Sequence, residues 1–454
     1  MPMLKLLILA AGFVMAMIDV TAVNVALPDI EKSLRVPLEG LVWIVDAYTL
    51  TFAALILAGG ALADRFGAKV VYQFGLGVFL AGSMLCGAAP SGDVLIVARL
   101  IQGAGAALFL PSSLSLLSHQ YEDDKKRAQM LGIWSALVGV AASVGPLVGG
   151  MLIHIFGWRS VFWVNIPIGL AGGVLAQLYI SPVRTRPVPL TLVGHASSVL
   201  CLGSLSYALI EGPSRGWFSF PVALAALVAF ASVACIVWRE RRGIHPIIPR
   251  ALISIPGFLA VNAVGFLNNF GVFGQVFFLG LYFQEAHSAN PLQAGLLLLP
   301  IMVTATSGNL LSSFFSSRVG LKQTMLCGWV FGSIGFLAVA LVGHRPSLMV
   351  TLSLCTVSYF AIGVAIPAMT AMTMQMGGKN YANGAAAALN ANRQIGALVG
   401  VAIVGSILHG AGSWDLRLRV AYLCFFGVFA VAACVVHRFL QTFSTQRSGV
   451  PVEM

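Results

Sequence analysis

The stretch GGALADRFGAKVV, residues 59–71, joins two apolar runs through a short turn that carries charges of both signs. The two runs cover roughly residues 41–62 and 69–89, and about 20 apolar residues are enough for a helix to cross a bilayer. Gly67 in the turn can adopt a backbone conformation that other residues avoid. The stretch therefore predicts two membrane-spanning helices joined by a tight, charged turn.

The composition of the whole chain is also that of a membrane protein. Its 454 residues are 58% hydrophobic and 9% charged, with a mean hydropathy of +0.92, whereas soluble domains carry about 25% charged residues. The net charge of +11 does not predict a nucleic-acid partner, because the 26 Lys and Arg residues are scattered among apolar runs. The seven cysteines lie in apolar segments without a CxxC pair, so we expect no disulfide framework, no metal and no cofactor.

Fourteen apolar windows are long enough to span a membrane. The Lys and Arg residues between them are unequally divided, with seventeen on the side of the N-terminus and seven on the other. Because positive charge accumulates on the cytoplasmic side, we expect a multi-pass protein of the inner (cytoplasmic) membrane with both termini in the cytoplasm. The windows cover roughly residues 6–27, 41–62, 69–89, 93–117, 128–153, 159–181, 191–211, 219–238, 257–283, 292–314, 321–343, 347–372, 383–408 and 418–438.

Two pairs of short matches indicate an internal repeat. DRFG at 64–67 and SRVG at 317–320 follow the second and tenth windows, while GPLVG at 145–149 and GALVG at 396–400 lie in the fifth and thirteenth. Chance similarity between glycine-rich helices is the alternative, but paired halves are typical of secondary transporters. We expect an N-terminal six-helix bundle at 1–183, two inserted transmembrane helices with linkers at 184–250, and a C-terminal six-helix bundle with a short cytoplasmic tail at 251–454.

Seven segments resemble the major facilitator superfamily, and several resemble its fourteen-spanner drug:proton antiporter branch. GGALADRFGAKVV resembles the loop signature of the superfamily, with Ala68 where a basic residue is usual. The resemblance covers nearly the whole chain and implies an all-α polytopic membrane protein with the major facilitator fold, two six-helix bundles plus two inserted helices. The other segments are IDVTAVNVALPDI (18–30), RLIQGAGAALFLP (99–111), GVAASVGPLVGG (139–150), GWRSVFWVNIPIG (157–169), LYFQEAHSANPLQAGLLLLP (281–300) and NRQIGALVGVAIVGSI (392–407).

The turn that follows the second window predicts a conformational role. Asp64 in the first turn can pair with nearby cations and the positive end of a helix, and the resemblance favours a conformational latch made of Gly60, Asp64, Arg65 and Gly67 over an ordinary solvated loop.

In the fifth helix, which resembles the antiporter signature, small residues allow another helix to approach closely. Generic close packing is the alternative to a contact between the two halves. The residues concerned are Gly145, Pro146, Gly149 and Gly150.

Three ionisable residues fall at similar depths in the outer half of the membrane. Asp19 lies about 20 Å along its helix from the cytoplasmic edge, and Asp46 and Arg99 lie about 8–9 Å below the outer edge of a core about 30 Å thick. Two carboxylates and one guanidinium can exchange a proton against a ligand, because burial favours the neutral form of a carboxyl group. We expect Asp19 or Asp46 to titrate during transport; a static salt bridge to Arg99 is the alternative.

A second set of polar and aromatic residues is expected to line a substrate cavity. Arg393 lies near the midplane of the thirteenth window without an acidic residue on its helix, although nearby amides and carbonyls could satisfy it. Aromatic rings can hold lipophilic cations, but packing or lipid contact is the commoner role for such rings. The predicted cavity residues are Asn24, Asn269, Phe273, Gln284, Asn390 and Arg393.

These features predict a carrier and not an enzyme. No phosphate-binding loop for ATP is recognisable, which leaves an ion gradient as the source of energy. We expect a monomeric, proton-coupled antiporter that exports lipophilic, cationic drugs or toxic compounds by alternating access. Its partners would be protons, small lipophilic molecules and the lipid bilayer. A dedicated exporter of one endogenous metabolite is the main alternative, and a channel or membrane receptor is a distant one.

Overall fold

The computed structural model is almost entirely helical and describes residues 2–121, 123–182, 192–242, 250–343, 348–410 and 412–447. These residues form fifteen α-helices and one π-helical turn, Tyr282–Ala286. The α-helices are α1 (Pro2–Leu34), α2 (Leu38–Phe66), α3 (Ala68–Ala88), α4 (Gly92–His119), α5 (Asp124–Phe156), α6 (Ser160–Trp163), α7 (Asn165–Tyr179), α8 (Leu192–Arg215), α9 (Phe220–Arg242), α10 (Arg250–Ile253), α11 (Phe258–Leu281), α12 (Pro291–Val319), α13 (Leu321–Val342), α14 (Leu348–Gly410) and α15 (Trp414–Arg447).

Fourteen helical segments among the described residues are long and apolar enough to cross a membrane. One of them, Ser160–Tyr179, combines α6 and α7. Helix α14 supplies two, Leu348–Gly378 and Gly384–Gly410, because Gly378 (φ 58°, ψ −167°) breaks the helical backbone between them. The predicted all-α class with fourteen spans is confirmed, although α1 is 33 residues long and extends beyond its predicted window at both ends.

The turns after α2 and α12 have the same backbone geometry. Gly67 has φ 97° and donates its N–H to the carbonyl of Ala63 at 2.9 Å. Gly320 has φ 85° and donates its N–H to the carbonyl of Ser316 at 3.0 Å. A side chain would strain the backbone at such positive φ angles, so glycine is favoured at both positions. The sequence match between DRFG and SRVG is therefore also a match of structure.

The chain forms two compact units, which we call unit 1 and unit 2. Unit 1 comprises Met1–Trp238, Val276–Leu299 and Val401–His409, and within it α1 packs on α5 while α4 packs on α2 and α3. Unit 2 comprises Arg239–Gln275, Pro300–Gly400 and Gly410–Met454, and within it α13 packs on α15. The domain boundaries at 183/184 and 250/251 stay predictions.

The inserted helix α8 lies within unit 1 and packs against α2. The indole Nε1 of Trp43 donates to Oε1 of Glu211 at 3.0 Å near the end of α8. By contrast, α9 presents large apolar side chains to its surroundings, including Phe220 at 79% exposure and Phe230 at 73%. Because an apolar helix that is exposed in this way needs an apolar solvent, this face of α9 is suited to lipid contact.

The topology can be tested at the exposed end of α8. In a protein whose native cysteines are replaced, we expect Ser214→Cys to react with a membrane-impermeant maleimide in intact cells, because the positive-charge bias predicts that this turn lies outside. Ser181→Cys, exposed after α7, is the matched control and should react only after the cells are permeabilised. The reverse labelling pattern would contradict the predicted orientation.

Candidate functional site

A buried ion pair joins α4 to α1. Nη1 of Arg99 lies 2.6 Å from Oδ2 of Asp19, and the two residues are 1% and 0% exposed. Charges inside membrane spans are rare and costly unless they pair with one another. The pair therefore satisfies two of the charged groups that the sequence placed at similar depth.

The second oxygen of Asp19 receives two further hydrogen bonds. Nε2 of Gln102 on α4 and Nδ2 of Asn165 on α7 each lie 2.9 Å from Oδ1 of Asp19. Both amides also donate to Oγ of Ser83 on α3, at 2.8 Å from Gln102 and 3.3 Å from Asn165. Three donors thus satisfy both oxygens of the carboxyl group, so Asp19 has the environment of a permanent partner of Arg99.

Arg99 is held from several directions besides Asp19. Its Nε donates to the carbonyl of Ile44 on α2 at 3.1 Å, and its Nη1 also donates to Oε1 of Gln102 at 2.5 Å. The guanidinium carbon lies 4.5 Å from the centre of the Tyr48 ring, in cation–π geometry. These contacts fix the orientation of the guanidinium as well as its charge.

The remaining predicted member of this group, Asp46, has a different environment. Asp46 is 0% exposed, and within the described part of the chain neither of its carboxyl oxygens has a hydrogen-bond partner. The structure thus brings Asp19 and Arg99 into direct contact and leaves Asp46 without a hydrogen bond to either. A buried polar group without a hydrogen-bond partner costs free energy, and a buried charge without a partner costs more.

Sequence reasoning did not select Gln102, Asn165 or Ser83. Gln102 follows Arg99 by three residues and so lies on the same face of α4, a spacing that could have identified it. Asn165 begins α7 just after the interruption at Val164. Pro167 in the first turn of α7 is a local signal of that interruption, because proline fits the first turn of a helix and disrupts a helix interior.

The glycines of α5 lie at close helix contacts within unit 1. A Cβ atom added to Gly149 would lie 2.5 Å from Cβ of Ala22 on α1, and one added to Gly145 would meet the hydroxyl of Thr21. On another side of α5, a Cβ on Gly150 would lie 3.1 Å from Cα of Leu292 on α12. The close approach predicted from the small residues is thus present, while its role in transport stays a prediction.

Glycines also allow close helix contact in unit 2, between α14 and α11. A Cβ added to Gly400 would lie 2.8 Å from Cα of Phe270, and one added to Gly396 would lie 2.9 Å from Cα of Phe266. The matching sequences GPLVG and GALVG therefore occupy matching packing positions, each against the first long span of its half.

The residues predicted as a latch form the end of α2 and the turn after it. Asp64 and Arg65 are exposed, and Arg65 lies over the ring of Phe66 with its guanidinium carbon 5.5 Å from the ring centre. A side chain added at Gly60 would meet nothing within 4 Å. The geometry agrees with a solvent-accessible turn, and the latch stays a prediction.

The predicted cavity residues belong to two groups. In unit 1, Nδ2 of Asn24 donates to the carbonyl of Val20 and Nε2 of Gln284 donates to the carbonyl of Val25, both at 2.9 Å. The other four belong to unit 2, where Nε of Arg393 donates to Oδ1 of Asn269 at 3.1 Å and where Phe273 and Asn390 are partly buried. A single cavity that contains all six stays a prediction.

Fourteen spans, an internal repeat with matched glycine contacts, and buried charges in the spans define a polytopic membrane carrier. Comparison with protein families agrees: the model of the Major Facilitator Superfamily matches residues 9–401 and again residues 261–447. The second match lies within the second half of the chain. The chain belongs to the major facilitator superfamily and is a multi-pass membrane transporter.

Several similar proteins are named for drug resistance. Two are methylenomycin A resistance proteins: that of Bacillus subtilis (strain 168) is 44% identical over 96% of this chain and 94% of its own length. That of Streptomyces coelicolor is 44% identical over 92% of this chain and 88% of its own length. The multidrug resistance protein Stp of Mycobacterium tuberculosis (strain CDC 1551 / Oshkosh) is 33% identical over 89% of this chain and 76% of its own length.

A solved structure has the same fold at low sequence identity. A POT family transporter in complex with 5-aminolevulinic acid superposes with a TM-score of 0.72 at 13% identity, over 97% of this chain and 96% of that one. The predicted major facilitator fold is confirmed.

The close contact of α5 with α1 can be tested by adding bulk. We expect Gly145→Leu to reduce transport severely, because its side chain would occupy the position of the Thr21 hydroxyl, and overpacking of this kind typically costs about 1–3 kcal/mol. Transport and passive proton leak in membrane vesicles are the measurements.

Gly132→Leu is the control on the same helix, since a Cβ there would meet nothing within 4 Å. Unchanged transport and leak in a well-expressed Gly145→Leu protein would show that the close contact is not needed for function.

Proposed function

We propose that the protein is a secondary active antiporter that exports a small lipophilic compound in exchange for protons, by alternating access. Its relatives include proteins named for methylenomycin A resistance and for multidrug resistance. In an antiporter, one ligand must favour the conformation from which the other is released. The chain therefore needs a group that binds and releases protons inside the membrane.

The observation that carries the proposal is the contrast between the two buried aspartates. Asp19 has three hydrogen-bond donors, one of them a guanidinium, so protonating it would disrupt a satisfied network. Asp46 is equally buried but has no hydrogen-bond partner among the described residues. We assign proton transfer to Asp46, and the fixed positioning of Arg99 to Asp19.

In this proposal Asp46 is neutral in the conformation described here. Release of its proton requires water or a cation to reach the carboxylate, because an isolated charge in low dielectric is strongly disfavoured. Opening of the carrier to one side of the membrane would admit water and permit that release. The other conformation would bury the group again and require its reprotonation.

We also propose that the protein works as a monomer in the cytoplasmic membrane, with both termini in the cytoplasm.

The relatives support two alternatives for the range of exported compounds: a narrow exporter of one compound and a broad exporter of many. Two relatives that are 44% identical over most of their length are named for one antibiotic, which favours a narrow exporter. The more distant relative named for multidrug resistance favours a broad one.

Transport measured in inverted membrane vesicles tests the function. The vesicles are acidified inside, and methylenomycin A and a panel of unrelated lipophilic compounds are added separately. A transported compound should release protons from the vesicles and restore the fluorescence of a quenched pH dye. Proton release by methylenomycin A alone would support the narrow version, and release by several unrelated compounds would support the broad one. Currents that dissipate the gradient without saturation would indicate a channel instead.

Exchange of each aspartate for asparagine separates the two assigned roles. We expect Asp46→Asn to fold normally and to lose proton-driven export, because an amide resembles a neutral carboxyl group in shape but exchanges no proton. We expect Asp19→Asn to lower protein yield and thermal stability first, since loss of one member of a buried pair typically costs about 3–5 kcal/mol.

Three measurements decide between these roles: the yield of folded protein, its melting temperature in detergent, and substrate-induced proton release by the purified protein. If Asp46→Asn still releases protons and exports against a gradient, Asp46 is not the proton carrier. If instead Asp19→Asn is as stable as the wild type but uncoupled, the two assignments are reversed.

A further inference from the structure

One face of α14 carries three polar side chains in the middle of a membrane span. Asn390, Arg393 and Gln394 are spaced by three and four residues, which places them on the same side of the helix. All three are partly buried. Among the described residues, the amides of Asn390 and Gln394 have no hydrogen-bond partner, and Arg393 has one, the bond from its Nε to Asn269.

Unpaired polar groups on a membrane helix face a water-filled space or a ligand, because lipid cannot satisfy them. Helix α11 lies beside this face and contributes Asn269 and, one turn later, Phe273. A Cβ on Gly265 would lie 3.3 Å from Cγ of Arg393, so the stem of that side chain packs directly on α11. The guanidinium is therefore held in place at its base, and its terminal nitrogens have no hydrogen-bond partner among the described residues.

The charges inside the spans do not balance at this position. Asp19 and Arg99 neutralise one another. Asp46 is neutral in the function proposed above, and no described carboxylate lies within salt-bridge distance of Arg393. A guanidinium keeps its charge in proteins, so Arg393 is an uncompensated cation in unit 2.

We propose that Arg393 binds the acidic group of an anionic substrate, such as the carboxylate of a small lipophilic acid. The two terminal nitrogens of Arg393 form a fork that can pair with both oxygens of a carboxylate. Asn390 and Gln394 supply further N–H donors on the same face, and Phe273 supplies an apolar wall. This inference rests on the proposed export function and replaces the expectation of a cationic substrate, since Arg393 would repel a cation.

Three matched probes test the charge class in proteoliposomes that contain the full-length protein and carry a pH gradient. The probes are 2-naphthoate, 2-naphthamide and 2-naphthylmethylammonium, which share a ring system and differ in charge. We expect proton-driven transport of 2-naphthoate in preference to the other two. Arg393→Gln should raise its KM at least tenfold, and Arg393→Lys, which keeps the charge but not the fork, should have an intermediate KM.

Arg438→Gln is the matched control, because it removes a positive charge from an exposed side chain of α15 and should leave the KM unchanged. If Arg393→Gln does not fold, the preference of the wild-type protein among the three probes and the KM of Arg393→Lys decide the question. Transport of the ammonium probe in preference to the carboxylate, or a KM for 2-naphthoate that neither substitution changes, would overturn the inference.

The outcomes also separate this inference from the proposed function. Proton-driven transport of the ammonium probe would overturn the anionic substrate and leave proton-coupled export standing. Transport of 2-naphthoate that depends on Arg393 but not on the pH gradient would support the anion site and overturn proton coupling.

Discussion

The structure depends on the absence of water from the lipid interior, because a polar side chain in a span must then find a partner within the protein or face water or a ligand. Arg99 and Asp19 meet this requirement by bonding to each other. Their remaining contacts reach the carbonyl of Ile44 on α2, Gln102 on α4 and Asn165 on α7. One buried ion pair therefore fixes four helices of the first half relative to one another. Loss of either charge would leave the other without compensation at the point where these helices meet.

Away from the charges, the helices are held together by shape. Lipid is as apolar as the helix surfaces, so close packing replaces the hydrophobic effect as the main source of attraction between spans. Gly145 and Gly149 allow α1 to approach α5, and Gly396 and Gly400 allow α11 to approach α14. The two halves thus have close helix packing at paired glycines in corresponding positions. This explains why short glycine motifs, and not long stretches of identity, made the repeat visible in the sequence.

The sequence predicted the features that depend on distance along the chain and missed those that depend on helix rotation. The number of spans follows from segment length, and the contact between Asp19 and Arg99 agrees with the similar depth expected for these two residues from the rise per residue. Which carboxylate faces Arg99 depends on how α1 and α2 are rotated about their axes, and packing between helices sets that rotation. The start of α7 at Asn165 does have a local signal, Pro167 in its first turn, but the contact of Asn165 with Asp19 again depends on how the helices are rotated.

The two halves share a scaffold but carry different chemistry, and this constrains how coupling can work. Among the described residues, the first half holds a satisfied ion pair and an acid without a hydrogen bond, whereas the second holds a guanidinium without an acidic partner, beside two amides without hydrogen bonds. If protons bind at Asp46 and an anion binds at Arg393, the two ligands do not compete for one carboxylate. Coupling must then arise because each ligand favours a different conformation of the same carrier, and thermodynamic linkage makes that influence reciprocal. The size of the coupling is limited by the difference in proton affinity of Asp46 between the two conformations. A fully buried carboxyl group without hydrogen bonds is suited to a large difference, because admission of water changes its environment more than that of the already satisfied Asp19.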